Sequence, residues 1–202
     1  MIENKKLQRI HEEACIRTSE ALAKLIGRQA IVDITNPKLK KVRELTLPIN
    51  SAEAIAAVCL PIGGEVKGAG LLLFSQETAF SLSELLIKKV PGTAGELTEL
   101  GKSALEELGN IVCGTYFTTL SNRAGNKMIE RIPQFIFDKL PAILEQAVTK
   151  FTEKIEDVLA IGADFNFTVP TYKGHLFKSY FLVLFETRQL EAILSSLQEV
   201  MA

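Results

Sequence analysis

The sequence is poor in the residues from which metal sites, disulfide frameworks and nucleophilic dyads are built. It has three cysteines, two histidines and no tryptophan in 202 residues. Cys15, Cys59 and Cys113 lie far apart without a Cys-x-x-Cys pair, so neither a disulfide framework nor a zinc site is expected. Their apolar surroundings instead predict buried, reduced thiols. His11 and His175 have no serine or cysteine nucleophile in a suitable motif, so neither is predicted to be catalytic.

An excess of charge of one sign and long apolar runs are also missing. The formal net charge is −1, and no basic cluster is interleaved with aromatic residues. Nucleic-acid binding is therefore not expected, whereas a protein partner is. No apolar run approaches the roughly 18 residues that span a membrane. The charged N-terminal segment also lacks the apolar core of a signal peptide. We therefore expect a cytoplasmic protein without membrane insertion.

Helical and strand patterns follow one another in the same order twice. The first half predicts a helix over 4–26, a strand over 28–34, a polar connection over 36–41, a hairpin over 53–62 and 67–74, and a helix over 76–89. Pro91, Gly92 and Thr93 form the clearest break, and Thr93 or Thr98 is expected to cap the next helix. The second half predicts that helix to about residue 123, a strand over 127–132, a helix over 133–153, a hairpin over 158–169 and 175–185, and a helix over 187–200.

The two halves also match residue by residue, which indicates an internal repeat. A shift of 98 positions pairs Leu22 with Leu120, Gly27 with Gly125, Ile31 with Ile129 and Ile34 with Ile132. Further along, LLLFSQETAFSLSELL resembles FLVLFETRQLEAILSSL. We therefore predict one domain over 1–202, made of repeats at about 1–91 and 92–202. A pseudo-twofold packing, with strands of both halves in one sheet, is the natural arrangement.

The helix that opens the second half carries a row of polar residues. Ser103, Glu107 and Asn110 are spaced four and three residues apart, which places them on one helix face. Gly114 follows on the same face and leaves room for another backbone to approach closely. Such a face is often simply solvated. A carboxamide can also orient a water molecule, and a carboxylate can pair with a lysine of a partner.

No chemistry of its own accompanies this row. There is no P-loop and no activated nucleophile. Glu96, Glu99, Glu106 and Glu107 lack the His or Asp partners of a closed metal site, so an independent metal hydrolase has little support. A helix of this type would have to complete the active site of another protein.

The spacing resembles a known family motif. Ser103-x3-Glu107-x2-Asn110-x22-Pro133 matches the pattern [Asp/Ser]-x3-Glu-x2-Asn-x22-Pro of the CheC/CheX/FliY family of chemotaxis phosphatases. The duplicated organisation and the chain length resemble CheC most closely. The resemblance implies an α+β fold, a pseudo-twofold duplicated domain with a mainly antiparallel sheet and long helices packed on it.

The resemblance also implies a function. It is hydrolysis of the aspartyl phosphate of a CheY-like response regulator, which supplies the Mg²⁺ and the active-site lysine. By this resemblance Asn110 orients the attacking water and Glu107 engages the lysine of the regulator. Ser103 and Pro133 support the motif, and no cofactor or metal is expected on this chain.

One departure from the family pattern is informative. Many CheC proteins carry the motif in both halves, but here the 98-residue shift maps the motif onto Lys5, Arg9, Glu12 and Thr35. None of these retains the required chemistry, so a single active face is predicted. An alternative hypothesis is a non-enzymatic CheC-like adapter that binds a signalling partner such as the receptor deamidase CheD.

Overall fold

The computed structural model describes residues 2–27, 29–45, 47, 53–90, 96–169 and 175–199. Its helices are α1 (Ile2–Ile26), α2 (Gln76–Leu86), α3 (Glu99–Ala124), α4 (Leu140–Val148) and α5 (Thr187–Glu199). Its strands are β1 (Ile31–Lys41), β2 (Ala54–Gly64), β3 (Gly68–Phe74), β4 (Met128–Glu130), β5 (Gln134–Lys139), β6 (Val158–Val169) and β7 (His175–Glu186). Short 3-10 turns occupy Val42–Glu44 and Ile155–Asp157. Both predicted hairpins are confirmed, β2 with β3 and β6 with β7.

All of these strands belong to one antiparallel sheet in the order β1-β6-β7-β3-β2-β4, with β5 also paired to β2. The two hairpins meet at the centre, where β3 pairs with β7. Each half also adds its first strand to the hairpin of the other half, β1 to β6 and β4 to β2. The sheet therefore has the pseudo-twofold order expected of a duplicated chain. The repeat bounds stay a prediction, because Pro91, Gly92 and Thr93 lie outside the described residues.

Each face of the sheet buries a different set of helices. One face packs against α1, α2, α3 and α5, and its core includes Phe117 and Phe185 with ring centroids 6.2 Å apart. The other face packs against α4 around Leu71 and Leu182. β3 is buried along its whole length, as expected for a central strand covered on both faces. The predicted fold class, helices packed on a mainly antiparallel sheet, is confirmed.

The predicted polar connection over 36–41 is wrong. β1 continues to Lys41 and pairs with β6 as far as Leu159. Its register shifts between Thr35 and Lys38, and Pro37 falls inside this irregularity, where no ladder N–H is required. Polar residues are also tolerated here because, among the described strands, β1 pairs with β6 alone and ends the strand order.

The predicted helix over 133–153 is also wrong. Its first part is strand β5, which pairs with β2 from Cys59↔Gln134 to Ala54↔Lys139. The segment Phe-Ile-Phe favours a strand over a helix. The helix α4 begins at Leu140 with Pro141 in its first turn, the helical position that tolerates proline best. At the end of the first half, α2 stops at Leu86, three residues earlier than predicted.

Candidate functional site

The motif residues lie on α3, whose ends and orientation are well defined. The Thr98 hydroxyl accepts a hydrogen bond from the Gly101 N–H at 3.1 Å, which confirms Thr98 as the N-cap. Gly125 ends the helix in the left-handed conformation at φ 72°. In the middle, a Cβ atom added to Gly109 would lie 2.4 Å from Val58 Cγ1 on β2. This close contact fixes which side of α3 faces the sheet.

The polar row descends from solvent into the protein along α3. Ser103 and Glu107 are exposed, Asn110 is half-buried and Gly114 is buried. Leu100, with 66% of its surface exposed, lies one turn before Ser103 on the same face. The outer part of this face therefore offers a hydroxyl, a carboxylate and an aliphatic side chain to a partner.

The segment that carries Pro133 is held beside Asn110 by α3 itself. The Glu106 carboxylate accepts a hydrogen bond from the Phe135 N–H at 2.9 Å, which anchors the start of β5. Asn110 and Pro133 line one open depression, together with Glu130 and Arg131. The structure thus brings two of the motif residues together. Ser103 and Glu107 lie nearer the N-terminus of α3, outside this depression.

Gly114 has a structural role that the sequence pattern did not reveal. The Glu130 carboxylate lies against it, so a Cβ atom at residue 114 would meet Glu130 Oε2 at 3.1 Å and Oε1 at 3.2 Å. The missing side chain of Gly114 therefore makes room for a group of the same chain. Its predicted role in the approach of a partner stays a prediction.

Glu130 is the acidic residue of the site that sequence reasoning missed. It lines the depression that contains Pro133 and also a second groove, between α1 and α3, that Asn110 shares. Burial raises the pKa of the Glu130 carboxyl above its usual value. Gly114, in the middle of α3, was the signal in the sequence that a group lies close by, because a glycine in mid-helix usually marks the close approach of another group.

The equivalent face of α1 has different chemistry. Arg9 and Glu12 are exposed there, and Glu12 accepts a hydrogen bond from the Gln8 side chain at 3.2 Å. Thr35, the counterpart of Pro133, is half-buried on β1. In the described part of this face, the motif positions present a cation and a carboxylate where α3 presents a carboxylate and an amide.

The histidine and cysteines described by the structure have the properties of interior groups. His11 is 2% exposed, its Nε2 lies 3.0 Å from the Tyr116 hydroxyl, and burial lowers its pKa to about 4. Cys59 and Cys113 are buried free thiols as predicted. Cys15 is partly buried, and its sulfur accepts the Ile34 N–H at 3.2 Å. Burial raises the pKa of Cys15 to about 11 and that of Cys59 to about 12, so these thiols stay protonated at neutral pH.

Another cavity, of about 690 Å³, opens on the side of the sheet that carries α4. Asp164, Asn166, Lys178 and Tyr180 supply part of its polar lining, and no residue of the motif reaches it. Among the described residues, no group of three or more His, Cys, Asp or Glu side chains is placed to hold a metal ion. No helix in the same part of the chain is long and apolar enough to cross a membrane.

Comparison with known proteins points to one family. The model of the CheC-like family matches residues 100–129, a segment of α3 and β4 that contains Ser103, Glu107 and Asn110. The CheY-P phosphatase CheC of Bacillus subtilis is 23% identical over 151 residues, which cover 71% of this chain and 70% of that protein.

Two solved structures share the fold. The FliY structure from Thermotoga maritima superposes with a TM-score of 0.74 at 15% identity, covering 98% of this chain and 96% of FliY. The CheX chain of a complex with CheY, BeF3 and Mg from Borrelia burgdorferi superposes with a TM-score of 0.51 at 17% identity, covering 87% of this chain and 96% of that one. The predicted resemblance is therefore confirmed: the chain is similar to CheC-like proteins and has the fold of FliY and CheX.

Proposed function

We propose that this chain accelerates hydrolysis of the aspartyl phosphate of a CheY-like response regulator, with α3 completing the active site of the regulator. A water oxygen attacks phosphorus, the bond from phosphorus to the aspartate oxygen breaks, the aspartate leaves as a carboxylate, and the phosphate product keeps both protons of the water. Asn110 orients that water, and Glu107 pairs with the active-site lysine of the regulator. The regulator holds the Mg²⁺, and Ser103 and Pro133 support the contact.

The observation that carries the proposal is the polar row on α3. Glu107 is exposed, and Asn110 is half-buried at the edge of an open depression beside Pro133. A carboxamide held in this way can direct a water molecule into a neighbouring active site without adding charge. Phosphoryl transfer needs little covalent help from a protein, so positioning of this kind is sufficient chemistry.

The surroundings of the row suit a protein partner. Leu100 is 66% exposed and Ile132 is 82% exposed, and they lie near opposite ends of the row. Exposed aliphatic residues around a polar centre are common at protein interfaces. The names of the relatives support the same direction: the Bacillus relative is a CheY-P phosphatase, and CheX was solved bound to CheY with BeF3 and Mg.

The test is a phosphate-release assay with a phosphorylated CheY-like protein. Wild-type protein is expected to shorten the lifetime of the aspartyl phosphate, and Glu107→Ala and Asn110→Ala are expected to remove most of this effect. Glu12→Ala is the matched control, because Glu12 is exposed at the equivalent position of α1. The proposal fails if wild-type protein does not accelerate hydrolysis, or if Asn110→Ala retains full activity.

The adapter hypothesis predicts a different result in a parallel binding assay. Strong binding of CheD, with no acceleration of phosphate release by the wild-type protein, would replace the phosphatase proposal by an adapter role.

A further inference from the structure

The groove between α1 and α3 has a feature that neither the motif nor the fold explains. It continues from Asn110 past Gly114, and its wall contains Ala21, Thr115, Thr118 and Glu130. Its volume is about 270 Å³, just below the range of about 300–1,000 Å³ for small-molecule sites. The groove is therefore suited to a single side chain rather than to a bound metabolite.

Among the described residues, the Glu130 carboxylate in this groove has no hydrogen-bond or ion-pair partner, and the removal of water around it is the cause of its raised pKa. Arg17 lines the same groove, but its guanidinium bonds Glu13 at 2.9 Å. The Glu130 side chain is exposed, so a cation of a partner can reach its carboxylate and form a charge-assisted hydrogen bond with it.

The first half of the chain shows that the fold does not need this carboxylate. By the 98-residue shift, Glu130 corresponds to Val32, and Gly114 corresponds to Ile16. Val32 is buried in the core, and Ile16 is 63% exposed. The first half therefore has a buried valine in place of the acid and an exposed isoleucine in place of the helix glycine.

Glu107 and Glu130 lie on either side of Asn110 along α3. Glu107 lies one turn before Asn110, and the Glu130 carboxylate contacts Gly114 one turn after it. A partner that places its phosphoryl group at Asn110 must therefore also cover the groove. A single carboxylate supplies fewer oxygen ligands than Mg²⁺ or Ca²⁺ takes, whereas it can bind a lysine or arginine side chain.

We propose that Glu130 is a specificity-determining residue, whose carboxylate binds a lysine or arginine side chain of the regulator inserted between α1 and α3. The inference rests on the proposed function, because it takes the regulator as the partner. Glu130 acts on the strength of docking, and Asn110 acts on the chemical step.

The test compares affinity with rate. The regulator loaded with beryllofluoride and Mg²⁺ serves as the binding probe, and phosphate release at saturating regulator serves as the rate measurement. Glu130→Gln removes the charge and keeps the shape, and we expect its Kd to rise about tenfold. The saturating rate is expected to stay within about twofold of wild type, and the affinity difference to shrink at high salt.

Glu145→Gln is the control, because Glu145 is an exposed acid on α4, on the other side of the sheet. It removes the same charge and is expected to leave Kd unchanged. Glu130→Lys should bind even more weakly, and one Lys→Glu or Arg→Glu variant of the regulator surface should restore its binding.

An unchanged Kd for Glu130→Gln would overturn the inference, and so would a lower saturating rate at unchanged Kd. Failure of the proposed function is separate from both results. If wild-type protein binds the loaded regulator without hydrolysing its phosphate, the phosphatase role is lost but the affinity comparison still decides the role of Glu130.

Discussion

The two long helices, α1 and α3, occupy equivalent places in a duplicated fold, but their outward faces differ. α1 presents Arg9 and Glu12, and α3 presents Glu107 and Asn110 at the corresponding positions. Both helices pack against the same face of the sheet. Since α1 supports the fold without the motif residues, those of α3 are not explained by folding. The comparison isolates the candidate site from its scaffold.

The inward faces differ as well. By the 98-residue shift, His11 of α1 corresponds to Gly109 of α3. The two residues pack against their surroundings in opposite ways. Gly109 brings α3 into direct contact with Val58 of β2, whereas His11 keeps a buried imidazole against Tyr116. At this position α3 is therefore packed against the sheet by the absence of a side chain, whereas α1 is packed by a polar side chain.

The largest expected effect comes from giving α3 the residues of α1. The double variant Glu107→Arg/Asn110→Glu should lower the rate of regulator dephosphorylation by about 100- to 1,000-fold, the usual loss when a transition-state donor is removed. The arginine would also repel the lysine of the regulator. Phosphate release at saturating regulator measures the change.

The reciprocal exchange should create no additional phosphatase activity. Arg9→Glu/Glu12→Asn gives α1 the two motif side chains, but Ile16 and Thr35 still stand where α3 has Gly114 and the following segment has Pro133. We expect the rate to change by less than about twofold. A clear gain of activity would show that two side chains on any exposed helix suffice, and that the surroundings of α3 are unimportant.

The second prediction uses the buried imidazole of α1. The folded-state pKa of His11 is about 4, and an unfolded histidine has a pKa of about 6.5. The unfolded chain therefore binds the extra proton between these values, and the free energy of unfolding falls as pH drops through this range, by at most about 3 kcal/mol. Above the unfolded pKa the imidazole is neutral in both states, so the effect is absent.

Urea unfolding at about pH 7 and about pH 4.5 measures this loss. Carboxyl groups titrate in the same range, so the comparison must be with a variant. His11→Leu removes the hydrogen bond with Tyr116 and lowers stability throughout, but it should also flatten the pH dependence. An equal fall with pH in both proteins would show that His11 is not the group responsible.

The parts of the fold that the sequence predicted are those with strong local signals. Thr98, one of the two threonines expected to cap α3, is its N-cap, and the apolar runs of β6 and β7 predict both hairpin strands within one residue of their observed bounds. β5 was mistaken for the start of a helix because its pairing partner, β2, lies more than 70 residues earlier in the chain. A local sequence pattern does not identify so distant a strand partner. The same holds for the extension of β1, which pairs with the distant strand β6.

The residues of the candidate site also differ in whether the sequence alone could identify them. Ser103, Glu107 and Asn110 share one helix, so their spacing was enough to place them on one face. Glu130 and Glu106 could not be found from spacing, because their roles depend on how β4 and β5 lie against α3. Gly114 gave a hint that something approaches closely, without identifying it as a carboxylate of the same chain.

The smallest predicted change in stability tests whether α3 is held by the contact at Gly109. A Cβ atom there would lie 2.4 Å from Val58 Cγ1 and 2.6 Å from Val58 Cβ, which no rotamer change of Val58 relieves completely. Gly109→Ala should cost up to about 2 kcal/mol of unfolding free energy, because strain of about 1–3 kcal/mol opposes a gain in helix propensity of about 1 kcal/mol. Gly101→Ala is the matched control. The nearest contact of a Cβ atom at residue 101 is with Ser83 at 3.2 Å, so the gain in helix propensity should offset the strain.

The double variant Gly109→Ala/Val58→Ala tests the contact further in urea unfolding. It should lose less unfolding free energy than the two single variants lose together, since the smaller residue at position 58 leaves more room for the new methyl group. If the losses of the two single variants simply add, the contact with Val58 does not hold α3 against the sheet.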